Sequence, residues 1–266
     1  DDYVCYTPPE YAPDVAELPA LKNGHITFAC FNKLSKINDR LLETWARVLE
    51  QVPGARIVFK TKPLDDPAAC ELVRERFRQL GGDPAALDLR GWSRHGDLLA
   101  TYNEVDIGLD SWPYSGGLTT CEALWMGVPV ISMAGPTFAG RHSWTHLSNA
   151  GLEDCLVDDT DDYVRRAVEL ASDLDALAER RRAMRDLVAA SPLCDGPRFA
   201  RHLADGLRFM WRQALGVPAE SERELSPAEE VPAQDGDEAR IREIVRQAEQ
   251  MLAQGNVDAA GKICLA

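Results

Sequence analysis

Three groups of residues have the types and spacing to do chemistry. The first is Ser115-Gly116-Gly117, followed by Thr119, Thr120 and Glu122. Glycine lets the backbone turn sharply and approach a ligand closely. Thr119 and Thr120 can cap a helix that begins near Cys121. The start of such a helix offers unbonded N–H groups and a positive dipole end, which favour phosphate. An ordinary strand-to-helix turn needs glycine for geometry alone, so both readings stand. The spacing is neither a Walker loop nor a dinucleotide fingerprint. Glu122 can accept both hydroxyls of a ribose, or simply complement the helix end. The second group is the polar loop Asn32, Lys33 and Lys36, directly after an apolar run. The third is His142 and His146, four apart on one predicted helix. No carboxylate or cysteine completes a ligand set there, so no metal is expected.

Strands and helices must hold these residues. Val105 to Leu109 reads as a buried strand that Asp110 closes. Cys121 to Met126 is helical, Gly127 ends it, and Val128 to Ile131 forms the next strand. Upstream, strands are predicted at Ile26 to Phe31, Ala55 to Phe59 and Leu87 to Leu89. Helices follow each: one capped by Asn38 or Asp39, one from Pro67 to Leu80, one from Arg94 to Asn103 with Ser93 as cap. Downstream come a helix from Thr137 to Ala150, a strand from Cys155 to Val157, and helices from Thr160 to Ser172 and Leu174 to Ala190. The fold class is therefore α/β, a Rossmann-like parallel sheet with helices on both faces, and ligands belong at the C-terminal strand ends. A longer helix starts at Pro197, with Phe199, Leu203, Leu207, Met210 and Trp211 on one side.

Composition narrows the partners. The 266 residues carry a formal net charge of −14, and the stretch from Val217 to Glu238 holds half of it, with eight acids against Arg223. Acidity is thus largely local, and the chain as a whole is unsuited to nucleic acid or an anionic membrane. No apolar run is long enough to span a bilayer. The seven cysteines are scattered without a CxxC pair; reduced thiols in a cytoplasmic protein are expected. The chain divides into an extended, proline-bearing connector (1–24), an α/β domain ending in a long helix (25–216), an acidic linker (217–236) and a helical region (237–266) that reads like the start of a tetratricopeptide repeat.

The wording of several stretches adds a family. DIGLDSWPYSGGLTTCEALWMGVPVISMAG, FACFNKLSKIN, GPTFAGRHSWTHLSNAGL and SPLCDGPRFARHLADGLRFMW occur in the order found in O-GlcNAc transferase-like and SPINDLY-like glycosyltransferases. The resemblance covers most of the chain. It implies the C-terminal half of a two-domain GT-B enzyme, with the upstream catalytic half missing. By the same resemblance, 25–216 is a UDP-sugar-binding domain with a bracing helix, with UDP-GlcNAc the expected donor and no metal cofactor. The sugar goes with inversion to Ser or Thr hydroxyls of an acceptor protein, which the missing half or helical repeats would hold along with the general base. Lys36 matches the lysine of an FN-x-L-x-K motif that meets the β-phosphate and assists the leaving UDP. Asn32 and Lys33 belong to the same loop, although relatives often carry glutamine at Lys33. Ser115, Gly116, Gly117, Thr119 and Thr120 match the phosphate turn, with Ser115 replacing Asn, and Gly117 and Leu118 replacing hydroxyl residues. Glu122 matches an acidic residue on the ribose, and Arg141 an arginine near the donor pocket. Leu98 stands where many relatives have a histidine near the uracil, leaving the base to backbone around Gly91 to Arg94; His95 reads as an exposed helix-start residue. Two other functions compete. One is a non-catalytic nucleotide-sugar sensor or scaffold. The other is an epimerase of the same fold, which the CEALWMG wording disfavours.

Overall fold

The computed structural model describes residues 3–214. The predicted linker and tetratricopeptide-like start (217–236 and 237–266) lie outside them. Six strands form one sheet: β1 (Thr27–Cys30), β2 (Arg56–Lys60), β3 (Leu87–Arg90), β4 (Ile107–Leu109), β5 (Val130–Met133) and β6 (Leu156–Val157). All pairings are parallel, in the order β3-β2-β1-β4-β5-β6. Every residue of β1 and β4 is buried. That is the pattern of a sheet covered on both faces, and it explains why these strands read as continuous apolar runs.

The helices are α1 (Pro19–Asn23), α2 (Asp39–Gln51), α3 (Pro67–Gln79), α4 (His95–Thr101), α5 (Leu118–Trp125), α6 (His142–Asn149), α7 (Thr160–Ser172), α8 (Leu174–Ala189) and α9 (Gly196–Ala214). Asn38 caps α2 as predicted, its side chain accepting from Leu41 N–H at 3.1 Å. Leu41, Leu42, Trp45 and Val48 bury the apolar stripe of that helix, which packs against α7. Ser93 does not cap α4: Arg94 takes that position without a side-chain bond. The helix predicted from Thr137 is shorter, because Phe138–Gly140 is a single tight turn and α6 begins at His142. Among the described residues no helix is long and apolar enough to cross a membrane.

The chain separates into two compact units, 1–206 and 207–266. In the first, residues 3–24 run mostly extended yet are anchored. Tyr6 and Leu18 are buried, and Tyr6 N–H donates to the Leu193 carbonyl at 2.8 Å. Arg181 of α8, fully buried, donates to the carbonyls of Ala16 (2.8 Å), Val105 (2.8 Å) and Tyr102 (3.0 Å). Burial pulls its guanidinium down to about 10, with Asp106 opposing the shift, so it remains charged at neutral pH.

Candidate functional site

The strand order reverses between β1 and β4, which run side by side with Phe28 opposite Ile107 and Ala29 opposite Gly108. In a doubly wound sheet the crevice opens at the carboxyl ends of such a pair, because the two connections leave in opposite directions. The register therefore places Asn32 and Asp110 next to each other at the crevice floor.

Asp110 is 2% exposed and organises the floor. Its Oδ1 accepts from Asn32 Nδ2 (3.2 Å), Ser111 N–H (2.9 Å) and Gly116 N–H (2.7 Å), and its Oδ2 accepts from Ser132 Oγ (2.6 Å). Burial raises its pKa, and hydrogen bonding by Ser132, Ser143, Gly116 and Ser111 opposes the rise. Tyr163 of α7 donates to the Asp110 carbonyl at 2.9 Å. The sequence shows Asp110 only as the residue that closes a strand; a single acid after an apolar run carries no sign of four donors.

Lys36 reaches across from the β1 loop. Its Nζ donates to Asn32 Oδ1 (3.1 Å) and to the Ser115 carbonyl (2.7 Å), and lies 4.0 Å from the centroid of the Tyr114 ring. Partial burial lowers the lysine pKa, and Asp110 pulls it back up. A cleft of about 600 Å³ opens here, lined by Asn32, Lys33, Lys36, Tyr114, Gly117 and Thr119 among others.

The glycine turn is built tightly. A Cβ on Gly116 would sit 2.4 Å from Thr120 Oγ1 and 3.0 Å from Asp110 Oδ1. The predicted threonine caps are not what starts α5. Gly117 is the N-cap, without a side-chain bond, and Thr119 and Thr120 lie inside the first turn. The helix starts three residues earlier than expected, at Leu118, just after Gly116, whose N–H Asp110 holds. Thr119 stays on the cleft, 3.5 Å from Asn32 Oδ1. Thr120 turns inward, with Oγ1 2.7 Å from Ser143 Oγ. Ser115 is also buried, donating to the Ala139 carbonyl at 3.2 Å. First-turn N–H groups of a helix have no earlier helical carbonyl to meet, so this end of α5 can receive an anion.

Glu122 and Arg141 are arranged differently. The Glu122 side chain is buried, and Oε1 accepts from His95 Nε2 at 2.7 Å. Burial raises the carboxyl pKa, and His95 lowers it. The Tyr11 hydroxyl lies 2.8 Å from His95 Nδ1. His95 is exposed at the first position of α4, as expected, and is also the partner of Glu122. Arg141 is exposed, and its Nε donates to the Gly135 carbonyl at 3.0 Å. Of the backbone predicted to read a base, the Gly91 carbonyl accepts from Lys60 (3.1 Å) and Trp92 N–H donates to Asp65 (2.9 Å). Among the described residues no group of three or more His, Cys, Asp or Glu side chains is placed to hold a metal ion. A larger cavity, about 810 Å³, lies at the opposite, amino ends of β1 and β2, lined by Lys22, His25, Arg56 and Arg90. Arg90 there is already paired with Asp88 and Glu104. The switch-point cleft, not this larger space, collects the loops that a doubly wound sheet uses for ligands.

Sheet order and the switch-point crevice define a Rossmann-like α/β domain of the kind found in GT-B glycosyltransferases. Residues 16–203 match glycosyl transferase family 41, and the chain belongs to that family. A protein from Solanum lycopersicum described as a probable UDP-N-acetylglucosamine–peptide N-acetylglucosaminyltransferase SPINDLY is 41% identical over 218 residues, covering 80% of this chain and 23% of the relative. A Caenorhabditis elegans UDP-N-acetylglucosamine–peptide N-acetylglucosaminyltransferase is 27% identical over 74% of this chain and 17% of its own length. Among solved structures, an O-GlcNAc transferase mutant of Thermobaculum terrenum superposes with a TM-score of 0.71 at 35% identity, covering 79% of this chain and 39% of that one. A Thermosynechococcus elongatus sucrose-phosphate synthase, at 20% identity and a TM-score of 0.52, shares the fold. The chain spans about a quarter, 23%, of the length of the SPINDLY relative.

Proposed function

We propose that this chain is the donor-binding part of an inverting protein O-glycosyltransferase. It holds a UDP-sugar, with GlcNAc as the sugar, for transfer to a Ser or Thr hydroxyl of an acceptor protein. The carrying observation is the convergence of the Lys36 ammonium and the open end of α5 on one cleft at the β1/β4 switch point. In the transfer, the acceptor oxygen bonds to the anomeric carbon as the bond to the β-phosphate oxygen breaks. Negative charge then grows on the departing diphosphate. Lys36 and the helix end are prepositioned to stabilise that charge, so the reaction needs no metal. Asn32 and the Ser115 carbonyl fix the ammonium, and Asp110 fixes Asn32. The acceptor site and the general base, on this reading, lie outside this chain.

UDP binding without added metal tests this reading. A charged hydrogen bond between lysine and phosphate contributes ~1.5–3 kcal/mol, so Lys36→Ala should weaken UDP by roughly tenfold to a hundredfold. Uridine, which lacks phosphate, should be nearly unaffected. Calorimetric titration of both ligands decides it, and equal weakening of both would make Lys36 structural. A non-catalytic sensor draws support from one observation: Glu122, the ribose candidate, already holds His95. Glu122→Ala should weaken UDP and uridine alike if the carboxylate turns to the ribose. If it changes neither, Glu122 serves only to hold His95.

A further inference from the structure

A second cavity of about 290 Å³ adjoins the cleft, and Lys36 and Tyr114 line both. His142 and His146, one turn apart on α6, line it together with Tyr3. The Tyr3 hydroxyl meets Nδ1 of His142 and lies 3.4 Å from Nε2 of His146. His146 is 1% exposed, and its Nδ1 has no hydrogen-bond partner. A phenol has one proton to donate, so two arrangements exist. If Tyr3 donates to His146, the His146 proton sits on Nδ1 and an N–H is buried without an acceptor. Such orphaned donors are rare. If Tyr3 donates to His142, His146 donates from Nε2 to the phenol oxygen, and its Nδ1 keeps only a lone pair. The second arrangement gives a one-way chain, His146 to Tyr3 to His142, and leaves the His142 proton on Nε2. Burial pushes the Tyr3 phenol up to about 12 and the His146 imidazole down to about 4, which keeps the phenol protonated and His146 neutral at pH 7. Burial and the Lys36 charge lower His142 as well.

The Tyr114 ring neighbours both Lys36 and His142. Lys36 Nζ is 4.0 Å from its centroid, and the His142 ring centroid is 5.8 Å from it. We propose that His142 is a second contact of the donor diphosphate, presenting an Nε2–H whose position Tyr3 and His146 set. This rests on the donor-site reading above. His142 touches the ligand, while Tyr3 and His146 are positioning residues.

Two measurements on the 266-residue chain test it. Histidine ¹⁵N spectra should show His142 as the Nε2–H tautomer, and Tyr3→Phe should abolish that preference. In titrations, His142→Ala and His142→Asn should weaken UDP by about threefold to tenfold, the size of one hydrogen bond, and leave uridine unchanged. His142→Gln, whose amide N–H reaches the Nε2 position, should stay within about twofold of the parent. If the alanine variant does not fold, the Asn and Gln variants, one methylene apart, carry the comparison. UDP binding that responds to Lys36→Ala but not to the His142 variants would overturn this inference alone. An Nδ1–H tautomer at His142 in the parent would overturn it too. A parent that binds no UDP would overturn the donor-site reading and the inference with it.

Discussion

At the residue scale, burial decides what each polar group is free to do. Thr120 and Ser115 carry hydroxyls of the right type for phosphate, yet both are turned into the wall, on Ser143 and Ala139. Lys36 and Thr119 remain on the cleft. His146 shows the energetic side of the same rule. Its imidazole is held neutral, with burial and the neighbouring His142 moving its pKa from 6.5 to about 4. Between those values the unfolded chain binds a proton that the folded chain does not. Stability is therefore complete above pH 6.5 and falls as pH drops toward 4, by as much as ~3 kcal/mol. Urea unfolding at pH 7, 6 and 5 should show this loss in the parent and a flatter profile in His146→Leu. Parallel profiles for the two would mean that His146 does not carry the acid sensitivity.

At the scale of elements, α5 works because its first turn is locked to the strand beside it. Asp110 at the end of β4 takes the Gly116 N–H, and the missing Cβ lets Thr120 and Asp110 close around that residue. Gly116→Ala must push one of them away. An overpacked site of this kind costs about 1–3 kcal/mol, and each kcal/mol lowers the melting temperature of a chain this size by about 2–4 °C. The displaced turn would also shift the helix end relative to Lys36. We expect a melting temperature several degrees lower and UDP binding weakened by about tenfold or more, a loss comparable to that of Lys36→Ala. Unchanged melting and unchanged UDP affinity would show that the turn relaxes without strain.

At the scale of the whole molecule, the first residues of the chain are part of the unit that carries the site. Tyr11 reaches His95, Tyr3 reaches His142, and Arg181 gathers carbonyls from Ala16, Tyr102 and Val105. Truncating Arg181 takes its donors from the Ala16, Val105 and Tyr102 carbonyls and removes a positive charge that acts on Asp106. Arg181→Ala should cost on the order of 3–5 kcal/mol, or roughly 10 °C in melting temperature. Arg181→Lys should recover only part of this, since an ammonium cannot span the carbonyls as a planar guanidinium does. A thermal melt of the two variants beside the parent checks both, and a loss under 1 °C for the alanine variant would remove Arg181 as the clamp.

Local pattern alone determined much of this protein. Alternating strands and helices, the Asn38 cap, the glycine turn and the Asn32–Lys36 loop are all legible from spacing, because each depends on neighbours a few residues away. Even the mistaken caps at Ser93 and Thr119–Thr120 were errors of a few residues in where a helix begins, not in whether one exists. Tertiary structure decided the rest. Which strand lies beside β1 placed Asn32 against Asp110 and made the acid that closes β4 the floor of the crevice. Lys36 meets the Ser115 carbonyl 79 positions away, His95 meets Glu122 across 27, and Arg181 meets Ala16 across 165. A buried polar group must find a partner wherever the packed chain brings one. That partner is set by strand order and register, and neither leaves a mark in the few residues around the group itself.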